Sequence, residues 1–203
     1  MKVPRLFIVA GPNGSGKSLF SESLTTSDFV VFDGDKHMTS LIQKFPETGS
    51  EALWSHINNE IFAEEKIKAI ANRLDYAFET NFSSIDPMSS MREFKVDGYE
   101  IHLIFMGLNS LAESIERVAY RVGMGGHKVS EESIRYNYEH GYKNLYKYYK
   151  DFDSVTIFDN SIAQLPTASV PTKLLFIQDG RLNLTSAEVP IWIKPILKDF
   201  DIL

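Results

Sequence analysis

Residues 11 to 18 read Gly11-Pro12-Asn13-Gly14-Ser15-Gly16-Lys17-Ser18 and follow directly on the apolar run Leu6-Phe7-Ile8-Val9-Ala10. A G-x-x-x-x-G-K-S pattern between a buried-strand run and a helix-compatible stretch, residues 17–24, leaves a chain few folds to choose from. The glycines let successive backbone N–H groups turn inward around phosphate oxygens, and the helix that follows presents its N-terminus to the same anion. In such a loop Lys17 reaches the β/γ-phosphates and Ser18 is placed to ligate Mg²⁺. Residues 11–18 are therefore expected to hold ATP.

The chain of 203 residues is long enough to bury a substantial core, and at 43% hydrophobic and 24% charged residues it reads as one soluble globular unit. A net charge of −6 argues against a bulk footprint for nucleic acid or anionic membrane. There are no cysteines, which excludes disulfides and thiolate metal sites and fits a reducing compartment. No apolar run reaches the length of a membrane span or a signal peptide, so the expected location is the cytoplasm, with no membrane partner.

Short apolar runs alternate with helix-patterned segments, the signature of parallel βα units. Strands are expected at 5–10, 29–33, 76–80, 100–107 and 155–159, all as buried runs. Helices are expected at 17–24, 36–44, 51–73, 87–96, 111–122 and 131–149. Ser110 with Glu113 forms a capping box, and Ser130 precedes Glu131-Glu132, charges that suit a helix N-terminus. After Asp159 the pattern changes: Pro166 and Pro171 punctuate a loop, and runs at 173–178 and 181–185 flank Asp179-Gly180, a hairpin signal. The tail from Ile191 to Leu197 is apolar enough to pack back. The expectation is an α/β P-loop NTPase domain over 1–161, with a five-stranded parallel core sheet and helices on both faces. Residues 162–203 form a C-terminal β-hairpin and tail.

Four clusters could carry chemistry. Asp33-Gly34-Asp35 closes the second strand at its carboxyl end, where α/β sheets bind ligands. A carboxylate there can accept the proton of an attacking hydroxyl or orient Mg²⁺ through water, or it can cap the next helix. Phe78-Glu79-Thr80-Asn81-Phe82-Ser83 closes the third strand with a polar cluster suited to substrate recognition by Glu79, Asn81 and Ser83. An acid at the end of a buried run needs a metal, a ligand hydroxyl or a partner such as Arg73. Residues 117–135 place arginines on two helices about the glycine break Gly123 to Gly126, the makings of a phosphoryl-transfer lid. Arg117 has Glu113 four residues before it and reads as a surface ion pair, which leaves Arg121 as the catalytic candidate, with Arg135 on the next helix. His127 reads as a lid residue making hydrogen bonds. Asp159-Asn160 ends the fifth strand and could frame the adenine or form an Asx-type turn. Six tyrosines between Tyr136 and Tyr149 read as a packing stripe.

These elements, in this order over residues 5–161, resemble the zeta-toxin-like P-loop kinases and a bacterial branch of small ATPase-like proteins related to them. The resemblance implies a nucleoside-kinase-type fold and phosphoryl transfer from ATP with Mg²⁺; zeta toxins act on the 3′-hydroxyl of the sugar in UDP-N-acetylglucosamine. It casts Asp35 as catalytic base, Lys17 as the phosphate-binding lysine, Ser18 as Mg²⁺ ligand, Arg121 as a lid arginine and Glu79 as an acid near the acceptor. It also implies an antitoxin-like protein partner. The chain departs from the family at two places. Thr80, Asn81, Phe82 and Ser83 replace Gly, Thr, Leu and Arg, so the arginine that grips the sugar nucleotide is missing. Asn137 stands where the branch has a second lid arginine, and Arg135 lies two residues earlier. The expected function is an ATP-dependent kinase acting on a small hydroxyl-bearing acceptor, with a nucleotide sugar as a candidate. The rival is a nucleotide-binding regulator or slow ATPase with no such acceptor; an ABC-type ATPase is excluded by the lack of an LSGGQ-like signature.

Overall fold

The computed structural model describes residues 2–24, 31–126, 128–161 and 170–202. Seven strands form one sheet in the order β2-β3-β1-β4-β5-β6-β7: β1 Arg5–Ala10, β2 Val31–Phe32, β3 Tyr76–Thr80, β4 Glu100–Gly107, β5 Ser154–Asp159, β6 Thr172–Gln178 and β7 Arg181–Leu184. The first five are mutually parallel, with Leu6 opposite both Tyr76 and Ile101. Residues 29–30 of the expected second strand lie outside the described residues. Strand β1 takes the middle of the five parallel strands because it is apolar on both sides: Leu6, Ile8, Val9 and Ala10 are fully buried.

The hairpin is present and lies against the edge of the core sheet. Strand β6 pairs antiparallel with β5 and extends the core sheet, and Asp179 and Gly180 turn it with φ of 51° and 69°. Positive φ at both turn residues is the geometry for which the Asp-Gly pair is favoured.

The helices are α1 Lys17–Leu24, α2 Gly34–Lys44, α3 Ser50–His56, α4 Ala63–Ala71, α5 Asp86–Val96, α6 Leu111–Gly123, α7 Glu131–Tyr148 and α8 Lys194–Lys198. The single long helix expected at 51–73 is interrupted by a π-helical segment, Ile57–Phe62, between α3 and α4. Hydrophobic periodicity cannot see such a segment, because it changes the phase of the apolar stripe by only one residue. Helix α2 starts two residues earlier than expected because Asp33 caps it, accepting from the N–H groups of Asp35 and Lys36. The caps at Ser110 and Ser130 are both made.

The tyrosine stripe of α7 is packing. Tyr142 is buried, and its hydroxyl donates to the carbonyl of Leu108 at 2.7 Å while accepting from the same residue's N–H at 2.8 Å. The C-terminal tail docks on this helix: Tyr146 donates to the carbonyl of Trp192, and the Trp192 ring lies 5.3 Å from that of Tyr142. A Cβ on Gly107 would stand 2.3 Å from the Trp192 ring. Gly107→Ala is thus expected to expel the indole and cost about 1–3 kcal/mol, as overpacked cores do. A lower midpoint in urea unfolding checks this; an unchanged one would contradict the docking of the tail.

Candidate functional site

The loop from Gly11 to Gly16 links β1 to α1, and its shape requires glycine. Gly16 has φ +86°, and a Cβ there would lie 2.5 Å from Nδ2 of Asn160. That amide donates to the carbonyl of Ser15 at 2.9 Å, so the end of β5 buttresses the loop from behind. Asp159 closes an Asx-type turn by accepting from the N–H of Ser161. Asn160 is therefore a brace of the phosphate loop, a role its position alone does not reveal.

Lys17 is largely enclosed. Its ammonium donates to the carbonyls of Gly11 at 2.8 Å and Pro12 at 3.1 Å and to Oδ1 of Asn81 at 3.1 Å. Burial pulls its pKa below the ordinary lysine value, opposed by the charges of Glu79, Asp35 and Asp33. The hydroxyl of Ser18 lies 2.9 Å from Oε2 of Glu79 and 3.1 Å from Oδ2 of Asp33. Asp33 is buried, at 6% exposure, and serves twice, as the cap of α2 and as the partner of Ser18. Sequence reasoning left Asp33 as a cap or a chemical group; it is a cap that also faces the loop serine.

Glu79 needs no Arg73. Its pKa is raised by burial and then by the neighbouring charge of Asp33, with Lys17, Ser21 and Ser18 acting the other way. Its second oxygen, Oε1, is buried with no hydrogen-bond partner. Ser18, Asp33 and Glu79 make a compact set of hard oxygen donors with one unsatisfied carboxylate oxygen, and such a set fits Mg²⁺. Among the described residues no group of three or more His, Asp or Glu side chains could hold a metal by itself. That suits an ion which keeps waters and takes the rest of its ligands from a substrate phosphate.

The raised pKa has a measurable sign. An acid whose folded pKa exceeds its unfolded value loses stability as pH rises from the ordinary carboxyl value, 4.5, through the folded value. Glu79→Gln is therefore expected to raise the melting temperature in metal-free buffer at pH 7, with the gain vanishing below pH 4.5. Thermal melts across pH check it. A destabilised variant at neutral pH would contradict the account.

Beside Lys17 opens a pocket of about 220 Å³ whose lining includes Asp33, Asp35, Trp54, Phe62, Glu79 and Asn81. Asp35 lies in the first turn of α2, half-buried, and the pocket brings it together with Lys17, Glu79 and Asn81. Ser83 is not in the lining; Ser84 is. Phe82 explains the switch: it is buried with φ +57°, a left-handed turn that sends Asn81 to Lys17 and Ser83 the other way.

Ser83 donates to Oδ1 of Asn137 at 2.7 Å, and Nδ2 of Asn137 donates to Oδ1 of the loop residue Asn13 at 2.9 Å. The residue in place of a lid arginine thus ties α7 to the phosphate loop. Arg135 does not reach the site: it is 53% exposed and pairs with Glu131 at 3.7 Å. Arg117 corrects the surface-pair expectation. The pair with Glu113 exists at 2.8 Å, but Arg117 is 10% exposed and also donates to the carbonyls of Gly14 and Asn160, bracing the loop. Arg121 is half-buried and close enough to Lys17 for its charge to depress the lysine pKa. His127 lies outside the described residues.

The profile of the zeta toxin family matches residues 1–165. An uncharacterized protein from Haemophilus influenzae is 26% identical over 129 residues, covering 63% of this chain and 88% of that one. Among solved structures, that of the PezAT chromosomal toxin-antitoxin system of Streptococcus pneumoniae matches with a TM-score of 0.59 at 16% identity, over 78% of this chain and 69% of that one. The AvrRxo1-ORF1:-ORF2 complex with ATP matches with a TM-score of 0.63 at 12% identity, over 90% of this chain and 61% of the other. At these identities the structural likeness establishes the P-loop kinase fold, and the profile match over four fifths of the sequence establishes the lineage. The chain belongs to the zeta toxin family.

Proposed function

We propose that this protein transfers the γ-phosphoryl group of ATP to a hydroxyl of a small acceptor bound in the pocket beside Lys17. The observation that carries the reading is the meeting of Ser18, Asp33 and Glu79 at the mouth of a pocket that also contains Asp35. Support comes from family membership and from a protein of the same fold in complex with ATP.

Residues 11–18 would hold the phosphates through backbone N–H groups, and Asp159 and Asn160 would border the adenine. Lys17 would leave its carbonyl partners for the β- and γ-phosphates and neutralise charge on the transferring group, helped by Arg121. Ser18, Asp33 and Glu79 would hold Mg²⁺, which supplies charge neutralisation and orientation of the phosphates. Asp35 accepts the proton of the acceptor hydroxyl as the acceptor oxygen bonds to the γ-phosphorus and the bond to the ADP oxygen breaks. Glu79 and Asn81 position the acceptor, while Ser83 fixes α7 against the loop.

With Asn137 in its bracing role, Arg135 in solvent and Arg117 committed to loop carbonyls, Arg121 alone of the four positions is left to act on the phosphates, which favours the rival reading of a slow ATPase regulator. An antitoxin-like protein covering the site belongs to either reading, on the analogy of the PezAT and AvrRxo1-ORF1:-ORF2 systems. Calorimetry separates nucleotide binding from chemistry. Saturable binding of ATP that strengthens with Mg²⁺ is expected for the wild type and is expected to lose its Mg²⁺ dependence in Glu79→Gln. No heat of association would contradict the reading at its base.

A further inference from the structure

The pocket has two unlike ends. Lys17, Asp33 and Glu79 stand at the phosphate end, and beyond Asp35 the wall is a cluster of rings. The Phe62 ring lies 4.7 Å from Phe32 and 5.2 Å from Phe78, and Trp54 completes the surface. Trp54, Asn58 and Phe62 are each four residues apart and all line the pocket. In a straight α-helix a row with that spacing drifts by about 40° per step. The wider turns of the π-helical segment Ile57–Phe62 offset the drift and hold the three in register. Such segments are uncommon and are frequently found at functional sites.

The electrostatics of the pocket are one-sided. Among the described lining residues the carboxylates are Asp33, Asp35, Glu79 and Asp86, and the single cation is Lys17, which the phosphates of ATP would occupy. Lys66 sits 5.0 Å from the Phe62 centroid and reaches Oγ of the lining residue Ser90 at 3.3 Å, but its ammonium is held in a 2.6 Å pair with Glu93. Arg117 is committed to the carbonyls of Gly14 and Asn160 on the other side of the loop. With Mg²⁺ on Asp33 and Glu79, a nucleotide sugar would bring two further phosphates against the carboxylates Asp35 and Asp86, and among the described lining residues no cation besides Lys17 would meet them. The volume, about 220 Å³, also falls below the ~300–1,000 Å³ of sites that enclose drug-sized ligands.

We propose that the acceptor carries no phosphate or carboxylate: it is an uncharged or cationic hydroxyl compound of about one ring, whose apolar face stacks on Trp54 and Phe62. This rests on the phosphotransferase reading above and narrows it to phosphate-free sugars, aminosugars and comparable rings. The acidic lining repels anions and attracts amines, while an aromatic wall accepts the C–H face of a sugar or a cation equally well. The reaction is balanced as before: the acceptor oxygen bonds to the γ-phosphorus, ADP leaves, and Asp35 takes the proton.

The test uses the wild-type protein, [γ-³²P]ATP and Mg²⁺. A bacterial small-molecule extract, supplemented with glucosamine, uridine and UDP-N-acetylglucosamine, is split on ion-exchange resins into anionic, neutral and cationic fractions. Label is expected in an organic product formed from the neutral or cationic fraction. Label in a product from the anionic fraction, UDP-N-acetylglucosamine included, overturns the acceptor class while sparing the phosphotransferase reading. Label released only as inorganic phosphate from every fraction, with Mg·ATP still bound, overturns both. With the labelled acceptor in hand, Trp54→Ala is expected to raise its KM about tenfold at unchanged KM for ATP, and Trp54→Phe to restore it. An acceptor KM unmoved in Trp54→Ala would overturn the stacking wall.

Discussion

Asp35→Asn is expected to lower kcat by about 10²–10⁴-fold, the range for loss of a positioned general base, while leaving Mg·ATP affinity within a factor of a few. The asymmetry follows from placement. Asp35 lines the pocket beside Lys17 in the first turn of α2, whereas the cap of that helix and the partner of Ser18 are both Asp33. Removing the Asp35 charge therefore takes away the proton acceptor without loosening the helix or the loop. Asparagine matches aspartate in size and keeps a polar oxygen, so the pocket keeps its shape. Asp33→Asn should behave differently: it weakens the contact to Ser18, and its loss should appear in the Mg²⁺ dependence of binding. Steady-state kinetics beside calorimetry read both quantities. An Asp35→Asn enzyme of wild-type kcat would remove the assigned base.

Lys17→Met carries the second large effect. Its ammonium is the cation at the phosphate end of the pocket, held at 2.8–3.1 Å by the carbonyls of Gly11 and Pro12 and by Asn81. Charge-stabilising donors of this kind contribute about 10²–10³-fold in rate, and here ground-state affinity is lost as well, since the lysine meets phosphates already present in ATP. Both kcat and ATP affinity should fall, a split opposite to that of Asp35→Asn. The fold should hold, because methionine fills the stem's volume and relieves the burial that depresses the lysine pKa. A melting temperature at or above that of the wild type, together with lost ATP binding, is the expected signature.

The phosphate loop, the parallel strands and the hairpin were legible because each rests on local physics: glycine spacing, apolar runs, an Asp-Gly turn. The π-helical segment was not, since nothing in a window around Ile57 departs from helical patterning, yet it sets the wall of the pocket. Arg117 misled for a related reason. Its i,i+4 spacing to Glu113 is real, but burial against Gly14 and Asn160 depends on residues about 40 and 100 positions away. Ser83 and Asn137 were read as a recognition residue and a missing arginine. Their hydrogen bond across 54 residues makes them one brace, a pairing that only the folded chain displays. Local spacing alone left either Asp33 or Asp35 free to cap a helix; the backbone of α2 makes Asp33 the cap.

The proposed transfer requires Lys17 and Asp35 to face one reacting centre. Its most direct test is a single-turnover reaction of [γ-³²P]ATP with the wild type and with Asp35→Asn in the presence of the acceptor mixture. The account predicts label passing into an organic monophosphate in the wild type and remaining in ATP in the variant. Equal label in inorganic phosphate from both proteins, with no organic product, would contradict it.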